Sequence, residues 1–220
     1  MNRSIISKRI SSILDDMQRL SSAMYAMNTT DIQRYPDNYE VLSTDAAQRA
    51  ESIACRLRHL IYASTSVKKN DYLLTAANIQ GIDIQQRGGI VEITLPCLLS
   101  KKKQWRSTEY LIDPLNAALE QYVRTHTIQR FRNCVVCFSH EYTRDLPERR
   151  VRDYDNLEIK QYMDAVGTWL LIDDGGLFCD VYHTTVLGET DCTRMFIMDT
   201  AWFQTWLSER GLKLQNASDG

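Results

Sequence analysis

The spacing of apolar side chains changes along the chain and separates a helical part from a part that contains strands. In the first 60 residues, apolar side chains recur at alternating intervals of four and three, as they do on paired helices. They stand in two runs: Ile6, Ile10, Ile13, Met17, Leu20, Met24 and Met27, then Ala46, Ala50, Ile53, Leu57 and Leu60. From Ile79 the interval becomes two, which is typical of strands. We therefore expect a helical hairpin over residues 1–66, acting as a packing appendage or as an oligomerisation or docking arm, and an α+β domain over residues 67–220.

Local signals place the ends of these elements. The polar segment 28–43 between the two helical runs predicts a loop that contains residues 35–38, with Ser43 or Thr44 as the N-cap of the second helix. Residues 66–78 predict a linker with some order. Arg87-Gly88-Gly89 predicts the turn of a β-hairpin.

The rest of the α+β domain alternates helices and strands. Asp113-Pro114 predicts a helix start, with the acid as N-cap and proline at the first helical position. The run CVVCFSHEY predicts a buried interior strand. A helix after Asn156, two strands and a final helix follow. Asp199 or Thr200 is expected to cap that final helix, which should end near Gly211.

Composition excludes a membrane-spanning chain. With 44% hydrophobic and 25% charged residues, the 220-residue chain has the composition of a soluble globular protein. It contains no apolar run near the roughly 20 residues that span a bilayer. Charges interrupt the N-terminal residues, so we expect no signal peptide and a cytoplasmic location.

The cysteines and histidines do not suggest a zinc site. Cys134 and Cys137 have the spacing of a metal-binding pair, but they stand in an apparent buried strand and no second pair lies nearby. We expect them to be buried free thiols. The four histidines are scattered, and we interpret them as structural.

Two pairs of aspartates are the strongest candidates for chemistry. Asp153 and Asp155 are followed, after a helix-length segment, by Asp173 and Asp174. If the fold brings these carboxylates together, their repulsion of about 4 kcal/mol per close pair at a protein surface has to be offset, and a divalent cation does this. The alternative is structural: the first pair marks a helix start, with Asp155 or Asn156 as N-cap, and Asp-Asp-Gly-Gly is a hairpin turn.

Basic residues concentrate just before the aspartates. Residues 97–152 contain 11 Lys and Arg against 6 Asp and Glu, whereas residues 153–220 contain 4 against 12. A loop with an aromatic residue among basic ones can hold a nucleic-acid backbone, although such charge runs are commonly solvated faces. The candidate contacts to nucleic acid are Lys101, Lys102, Lys103, Arg106, Arg149, Arg150 and Arg152.

The order strand, helix, strand, RDYDN, helix, Asp-Asp, two strands resembles the RusA family of Holliday junction resolvases. These bacterial and phage endonucleases cut four-way DNA junctions as homodimers with Mg²⁺. The resemblance covers about residues 88–199 and includes ITLP (93–96), RDYDN (152–156), Asp-Ala (164–165) and Asp-Asp (173–174). It implies a RusA-like core, in which a β-hairpin precedes β-α-β-α-β-β elements whose mixed sheet is packed by helices. It also implies a role in DNA recombination and repair.

The resemblance assigns roles to individual residues. Asp153, Asp155 and Asp174 are similar to the family's metal-binding catalytic acids, with Asp173 as a further ligand. Lys160 is similar to the family's catalytic lysine, but it stands five residues after Asp155 rather than four. One extra residue at a helix start turns a side chain by about 100°. The implied reaction is phosphodiester hydrolysis assisted by Mg²⁺, or by Mn²⁺ in its place.

Other functional classes remain open at this stage. One is a catalytically inactive RusA-fold protein that binds DNA or acts as a scaffold through its helical arm. Another is a protein-interaction module whose acidic half is solubilising.

Overall fold

The computed structural model describes residues 3–100, 108–144 and 151–218, which form an α+β fold with six helices and five strands. The α+β class and the mixed sheet expected from the sequence are confirmed. The elements are α1 (Arg3–Thr29), α2 (Pro36–Ser64), α3 (Lys69–Gln80), β1 (Asp83–Arg87), β2 (Ile90–Leu95), α4 (Thr108–Thr125), β3 (Cys134–Thr143), a 3₁₀ helix (Tyr154–Asn156), α5 (Lys160–Leu170), β4 (Cys179–Gly188), β5 (Cys192–Asp199) and α6 (Thr200–Ser218).

The strands of the described residues form one sheet in the order β1-β2-β5-β3-β4. β3 pairs with β4 in parallel, and the other neighbouring strands pair antiparallel. The interior position predicted for the strand CVVCFSHEY is confirmed, because β3 has a partner on each side and is buried along most of its length. Parallel neighbours need a long crossover connection. Here the crossover from β3 to β4 contains the 3₁₀ helix and α5.

Side chains of the sheet alternate between two faces. One face carries Val135, Cys137 and Met198, which form a buried cluster with Trp206 of α6. The opposite face carries Phe138 and its neighbours on β2 and β5, which are fully buried: Ile93, Leu95, Met195 and Ile197. A hydrogen bond of 3.2 Å from Trp169 Nε1 to Asn116 Oδ1 joins α5 to α4.

The β1–β2 hairpin has the turn expected from the two glycines. Arg87 pairs directly with Ile90, so Gly88 and Gly89 are the two loop residues. Gly88 has φ +60°, which a type II′ turn requires at its first central position and which glycine adopts without steric cost. A Cβ on Gly89 would lie 2.9 Å from Trp202 Nε1, so this position also favours glycine.

The chain forms two compact units. The first contains Met1–Tyr72 and Arg106–Leu111, and the second contains Leu73–Trp105 and Ile112–Gly220. The sheet lies entirely in the second unit.

In the first unit, α1 and α2 pack together as the predicted helical pair. Ile13 and Ala23 of α1 and Ala46 and Ile53 of α2 are buried, and Arg56 of α2 forms a salt bridge with Asp16 of α1. Only part of the expected seam on α1 is covered. Three residues of this seam, spaced seven positions apart, remain exposed: Ile10 (42%), Met17 (49%) and Met24 (53%).

Two boundaries predicted near this unit were wrong. The second helix begins at Pro36 rather than at Ser43 or Thr44, because proline's fixed φ and missing N–H suit the first helical position. The linker expected over residues 66–78 instead contains most of α3, whose Leu73 and Ala77 are buried one turn apart.

The helix start predicted at Asp113-Pro114 was also wrong, since Pro114 lies inside α4. A proline within a helix leaves the carbonyl four residues earlier without its usual N–H donor. That carbonyl belongs to Tyr110, and the guanidinium of Arg58 donates to it at 3.4 Å and to the carbonyl of Glu109 at 3.4 Å. Arg58 is only 3% exposed, so this compensation comes from a residue distant in sequence.

Three smaller expectations concern the C-terminus, the thiols and the membrane. Asp199 caps α6 by accepting from the N–H of Ala201 at 2.9 Å, as expected, but α6 continues past Gly211 to Ser218. Cys134 and Cys137 are free buried thiols, also as expected. Among the described residues, no helix has the length and apolarity needed to cross a bilayer.

Candidate functional site

The crossover from β3 to β4 carries all of the predicted catalytic and metal-binding residues. RDYDN follows β3, Lys160 is the first residue of α5, and Asp173 and Asp174 follow α5. Because β3 and β4 are parallel, the crossover leaves the pair at its Thr143 end and re-enters it at the end where Cys134 pairs with Cys179.

The RDYDN segment is attached to the sheet by side chains on either side of its aspartates. The Tyr154 ring stacks on His183 of β4 at 5.0 Å between centroids, and its hydroxyl lies 3.0 Å from Thr185 Oγ1. The N–H of Arg152 donates to the hydroxyl of Tyr142 at 3.1 Å, and its Nη1 donates to the carbonyl of Leu99 at 2.7 Å. The segment therefore has a fixed position on the β3–β4 edge of the sheet.

This anchoring leaves the two aspartates of the segment facing solvent. Asp153 is the residue before the 3₁₀ helix and Asp155 lies within it, and both side chains are exposed. Asp153 makes no side-chain capping hydrogen bond, and α5 begins at Lys160 with Ile159 as its N-cap, so the prediction of Asp155 or Asn156 as a helix N-cap was wrong. Their oxygens face outward from a rigidly held segment.

Lys160, Asp164 and Asp174 lie along one side of α5. The ammonium of Lys160 donates to Asp164 Oδ2 at 3.0 Å, and this hydrogen bond raises the pKa of Lys160, with the charges of Asp164, Glu158 and Asp174 adding to it. Asp174 lies against Gly167, where an added Cβ would stand 3.5 Å from its Oδ2. The displaced lysine thus lies within electrostatic range of Asp174, but Asp164 holds its ammonium.

Asp173 has a structural contact. Its Oδ1 accepts from the N–H of Gly175 at 2.7 Å, the pattern of an aspartate that stabilises a turn. The carbonyl of Gly175 in turn accepts from the N–H groups of Phe178 and Cys179, which lead into β4. The turn interpretation of Asp-Asp-Gly-Gly therefore applies to Asp173, although β4 follows α5 rather than completing a hairpin.

The part of the chain that the structure describes contains no group of three or more His, Cys, Asp or Glu arranged to hold a metal ion. The magnesium site at Asp153, Asp155, Asp173 and Asp174 stays a prediction. Of the basic residues proposed to contact nucleic acid, Lys101, Lys102, Lys103, Arg106, Arg149 and Arg150 lie outside the described residues. Arg152 is the one whose surroundings are described, and it is half-buried against Leu99.

Comparison with known proteins identifies the family. A model described as a family of unknown function, DUF6100, matches residues 2–219, almost the full length of the chain. The chain belongs to the DUF6100 family. No curated protein shows significant similarity to it. The resemblance to RusA resolvases accordingly stays a prediction for this DUF6100 member.

The structure of this DUF6100 chain also brings together two histidines that the sequence did not connect. His140 Nε2 lies 3.2 Å from His183 Nδ1, so one ring donates and the other accepts. The ring of Phe138 also stacks on His183, at 5.4 Å between centroids. Because the two histidines are 43 residues apart, only the parallel register of β3 and β4 reveals this pair.

His140 is the buried member of the pair. It is 1% exposed, its Nδ1 has no hydrogen-bond partner, and burial, the charge of His183 and Arg152 lower its pKa to about 4. Burial also lowers the pKa of His183. The stacked rings that anchor the RDYDN segment therefore favour the neutral form of both histidines.

Acid is expected to destabilise the second unit of this DUF6100 protein through His140. Because its pKa is lower in the folded chain than the unfolded value of about 6.5, stability is complete above pH 6.5 and is lost as the pH falls toward 4. Between pH 7.5 and 5, protonation of His140 should lower the free energy of unfolding by about 2 kcal/mol. Urea unfolding followed by tryptophan fluorescence measures this loss, since Trp169, Trp202 and Trp206 belong to the second unit.

The control compares two substitutions by their pH dependence rather than by their absolute stability. His140→Gln should remove most of the loss of stability between pH 7.5 and 5. The loss that remains should be the part due to His183. His126→Gln, at an exposed position after α4, should keep the wild-type loss. An unchanged pH dependence in His140→Gln would assign the acid sensitivity to other groups.

Proposed function

We propose that this DUF6100 protein is a cytoplasmic, Mg²⁺-dependent endonuclease that cleaves branched DNA, in the manner of RusA Holliday junction resolvases. The observation that carries the proposal is the crossover from β3 to β4. Side-chain contacts attach RDYDN to the sheet at one end, and at the other Lys160 lies within electrostatic range of Asp174. The order of strands, helices and acidic motifs matches the order in the RusA resemblance.

The residues fit a hard cation by their chemistry. Mg²⁺ prefers carboxylate oxygens and retains several waters, so it binds through a few exposed carboxylates rather than through a closed cage. The carboxylates of Asp153, Asp155 and Asp174 are exposed to solvent and could hold it. When bound, Mg²⁺ supplies an activated water and stabilises the negative charge that develops on the phosphate.

The chain's own residues have separate tasks in this proposal. Tyr154 and Arg152 keep the carboxylates of Asp153 and Asp155 in place. Lys160 would leave Asp164 and pair with the scissile phosphate, where its positive charge would stabilise the developing negative charge. The basic residues near 101–106 and 149–150 would bind the DNA backbone, so affinity should fall steeply with salt.

Homodimer formation is proposed to occur through α1. The exposed apolar residues Ile10, Met17 and Met24 repeat every seven positions, which is the spacing of a helix that packs against another helix. A dimer would place two catalytic crossovers on one four-way junction.

Incubation of the purified protein with a labelled four-way junction tests the function. Cleavage is expected with Mg²⁺ or Mn²⁺ and none with EDTA, and a linear duplex of the same sequence should be cut far more slowly. Sedimentation of the same sample at twice the chain mass would support the dimer. No cleavage of the junction with either ion would refute the enzymatic activity.

A second candidate function is a non-catalytic RusA-fold protein that binds DNA or acts as a scaffold. Two observations favour it: Asp164 already holds the ammonium of Lys160, and the described residues contain no preformed three-ligand metal group. Junction binding that is unchanged by EDTA, without cleavage, would select this candidate.

A further inference from the structure

A cavity of about 250 Å³ lies on the sheet face opposite the histidine pair, between the strands and α6. The cavity belongs to the second unit, and its lining includes arginine, glutamate and aromatic side chains. Ser139 and Arg194 are direct partners on β3 and β5, so they lie side by side on this face. None of these residues takes part in the proposed nuclease site.

One arginine of the cavity has its charge balanced by the protein. Arg194 lies between two carboxylates, with its Nη1 3.4 Å from Glu92 Oε1 and its Nε 3.2 Å from Glu141 Oε2. These contacts also engage both glutamates, and Cys192 donates to Glu141 in addition. Two carboxylates therefore balance the charge of Arg194, and the charge of Glu141 also acts on Arg210.

Arg210 of α6 is different. Its Nη2 donates to Ser139 Oγ at 3.0 Å, and its guanidinium lies 5.3 Å from the ring centre of Trp206, one turn earlier on the helix. Among the described residues it forms no ion pair. It is half-buried, and this burial lowers its pKa, as expected for a cation that has lost water without gaining an anion.

The other charges at the cavity do not neutralise Arg210. Glu209 is exposed and forms no ion pair with it. Arg87 also lines the cavity, and its guanidinium donates to the amide oxygen of Gln85 at 3.0 Å rather than to a carboxylate. Among the described residues, neither Arg210 nor Arg87 forms an ion pair with a carboxylate, and Glu141 acts on Arg210 only through its charge.

We propose that this cavity binds a small molecule through one oxyanion group, a phosphate or a carboxylate, which pairs with Arg210. A guanidinium presents donors in a planar fork that matches two oxygens of either group. The volume, just below that of typical ligand pockets, suits a compact metabolite. Phe196 and Val186 provide an apolar wall for its body.

The test is isothermal titration of the full-length protein with matched probes. Inorganic phosphate and glycerol 3-phosphate form the phosphate arm, benzoate forms the carboxylate arm, and glycerol and benzyl alcohol are the neutral controls. Saturable binding is expected in one arm, which identifies the oxyanion, with the neutral controls inactive. Binding should weaken at least tenfold in Arg210→Gln and remain at the wild-type level in Arg130→Gln, which changes an exposed arginine outside the cavity.

The thermal stability of the free protein provides a second readout. If Arg210 is retained to bind a ligand, Arg210→Met should leave the Tm of the free protein unchanged or raise it, because an unbalanced, half-buried charge is removed. The ligand-induced rise in Tm should disappear in the same variant. Absence of binding by every oxyanion probe at 10 mM, or binding that Arg210→Gln leaves intact, would overturn the proposal.

Discussion

Asp155→Asn is expected to reduce cleavage of a four-way junction by on the order of a thousandfold or more, equivalent to about 4 kcal/mol of transition-state stabilisation. Asparagine keeps the size and shape of the side chain but removes the negative charge that would hold the cation. Because Asp155 is exposed, the substitution should leave the urea midpoint almost unchanged. Single-turnover cleavage with saturating Mg²⁺ measures the effect.

The matched control is Asp83→Asn. Asp83 is exposed on β1, at the opposite edge of the same sheet, and loses the same charge. The Asp83→Asn variant should cleave the junction at the wild-type rate. If Asp155→Asn also cleaves at that rate while the wild type is active, the nuclease site has been placed on the wrong residues.

Phe138→Ala is expected to destabilise the second unit by about 3–5 kcal/mol, the usual cost of removing a fully buried aromatic ring. The ring lies in the interior of the sheet and stacks on His183, so its loss leaves a cavity directly beneath the anchor of the RDYDN segment. Urea unfolding at pH 7.5, followed by tryptophan fluorescence, measures the free energy of unfolding of this unit.

Phe203→Ala serves as the comparison for Phe138→Ala. Phe203 is partly buried at the edge of the cluster around Trp206, and its removal should cost clearly less. Equal losses in the two variants would show that Phe138 contributes no more than a peripheral residue. If the nuclease proposal holds, Phe138→Ala should also slow cleavage under conditions where the chain remains folded.

Features with a local cause were predictable from the sequence. The heptad spacing of Ile6, Ile13 and Leu20 is a property of neighbouring residues on one helix, and α1 follows from it. Gly88 and Gly89 between two alternating runs specify a two-residue hairpin. The same holds for the aspartate cap of α6.

Features with a distant cause were not predictable. A proline normally marks the first turn of a helix, but Pro114 lies inside α4. Arg58, 52 residues before Tyr110, donates to the Tyr110 carbonyl, which cannot receive an N–H from the proline. The contact between His140 and His183 depends on the pairing of β3 with β4, which no spacing along the chain specifies.

The candidate site also combines features that were predictable from the sequence with features that were not. The acidic residues and their order were visible in the sequence, but the hydrogen bond between Lys160 and Asp164 and the turn contact of Asp173 depend on the local fold. The stacking of Tyr154 on β4 needs the whole crossover. Sequence reasoning therefore proposed these carboxylates as candidates but could not predict the contacts around them.

The parallel pairing of β3 and β4 also has a kinetic consequence. Parallel strands can pair only after the long segment between them has closed, and such high contact order slows folding. Because RDYDN, α5 and the paired aspartates all belong to that closing segment, their geometry is complete only when the sheet itself is complete. A nascent or partly refolded chain would consequently lack the assembled candidate site. Under the nuclease proposal, cleavage activity should develop in step with the slowest phase of refolding.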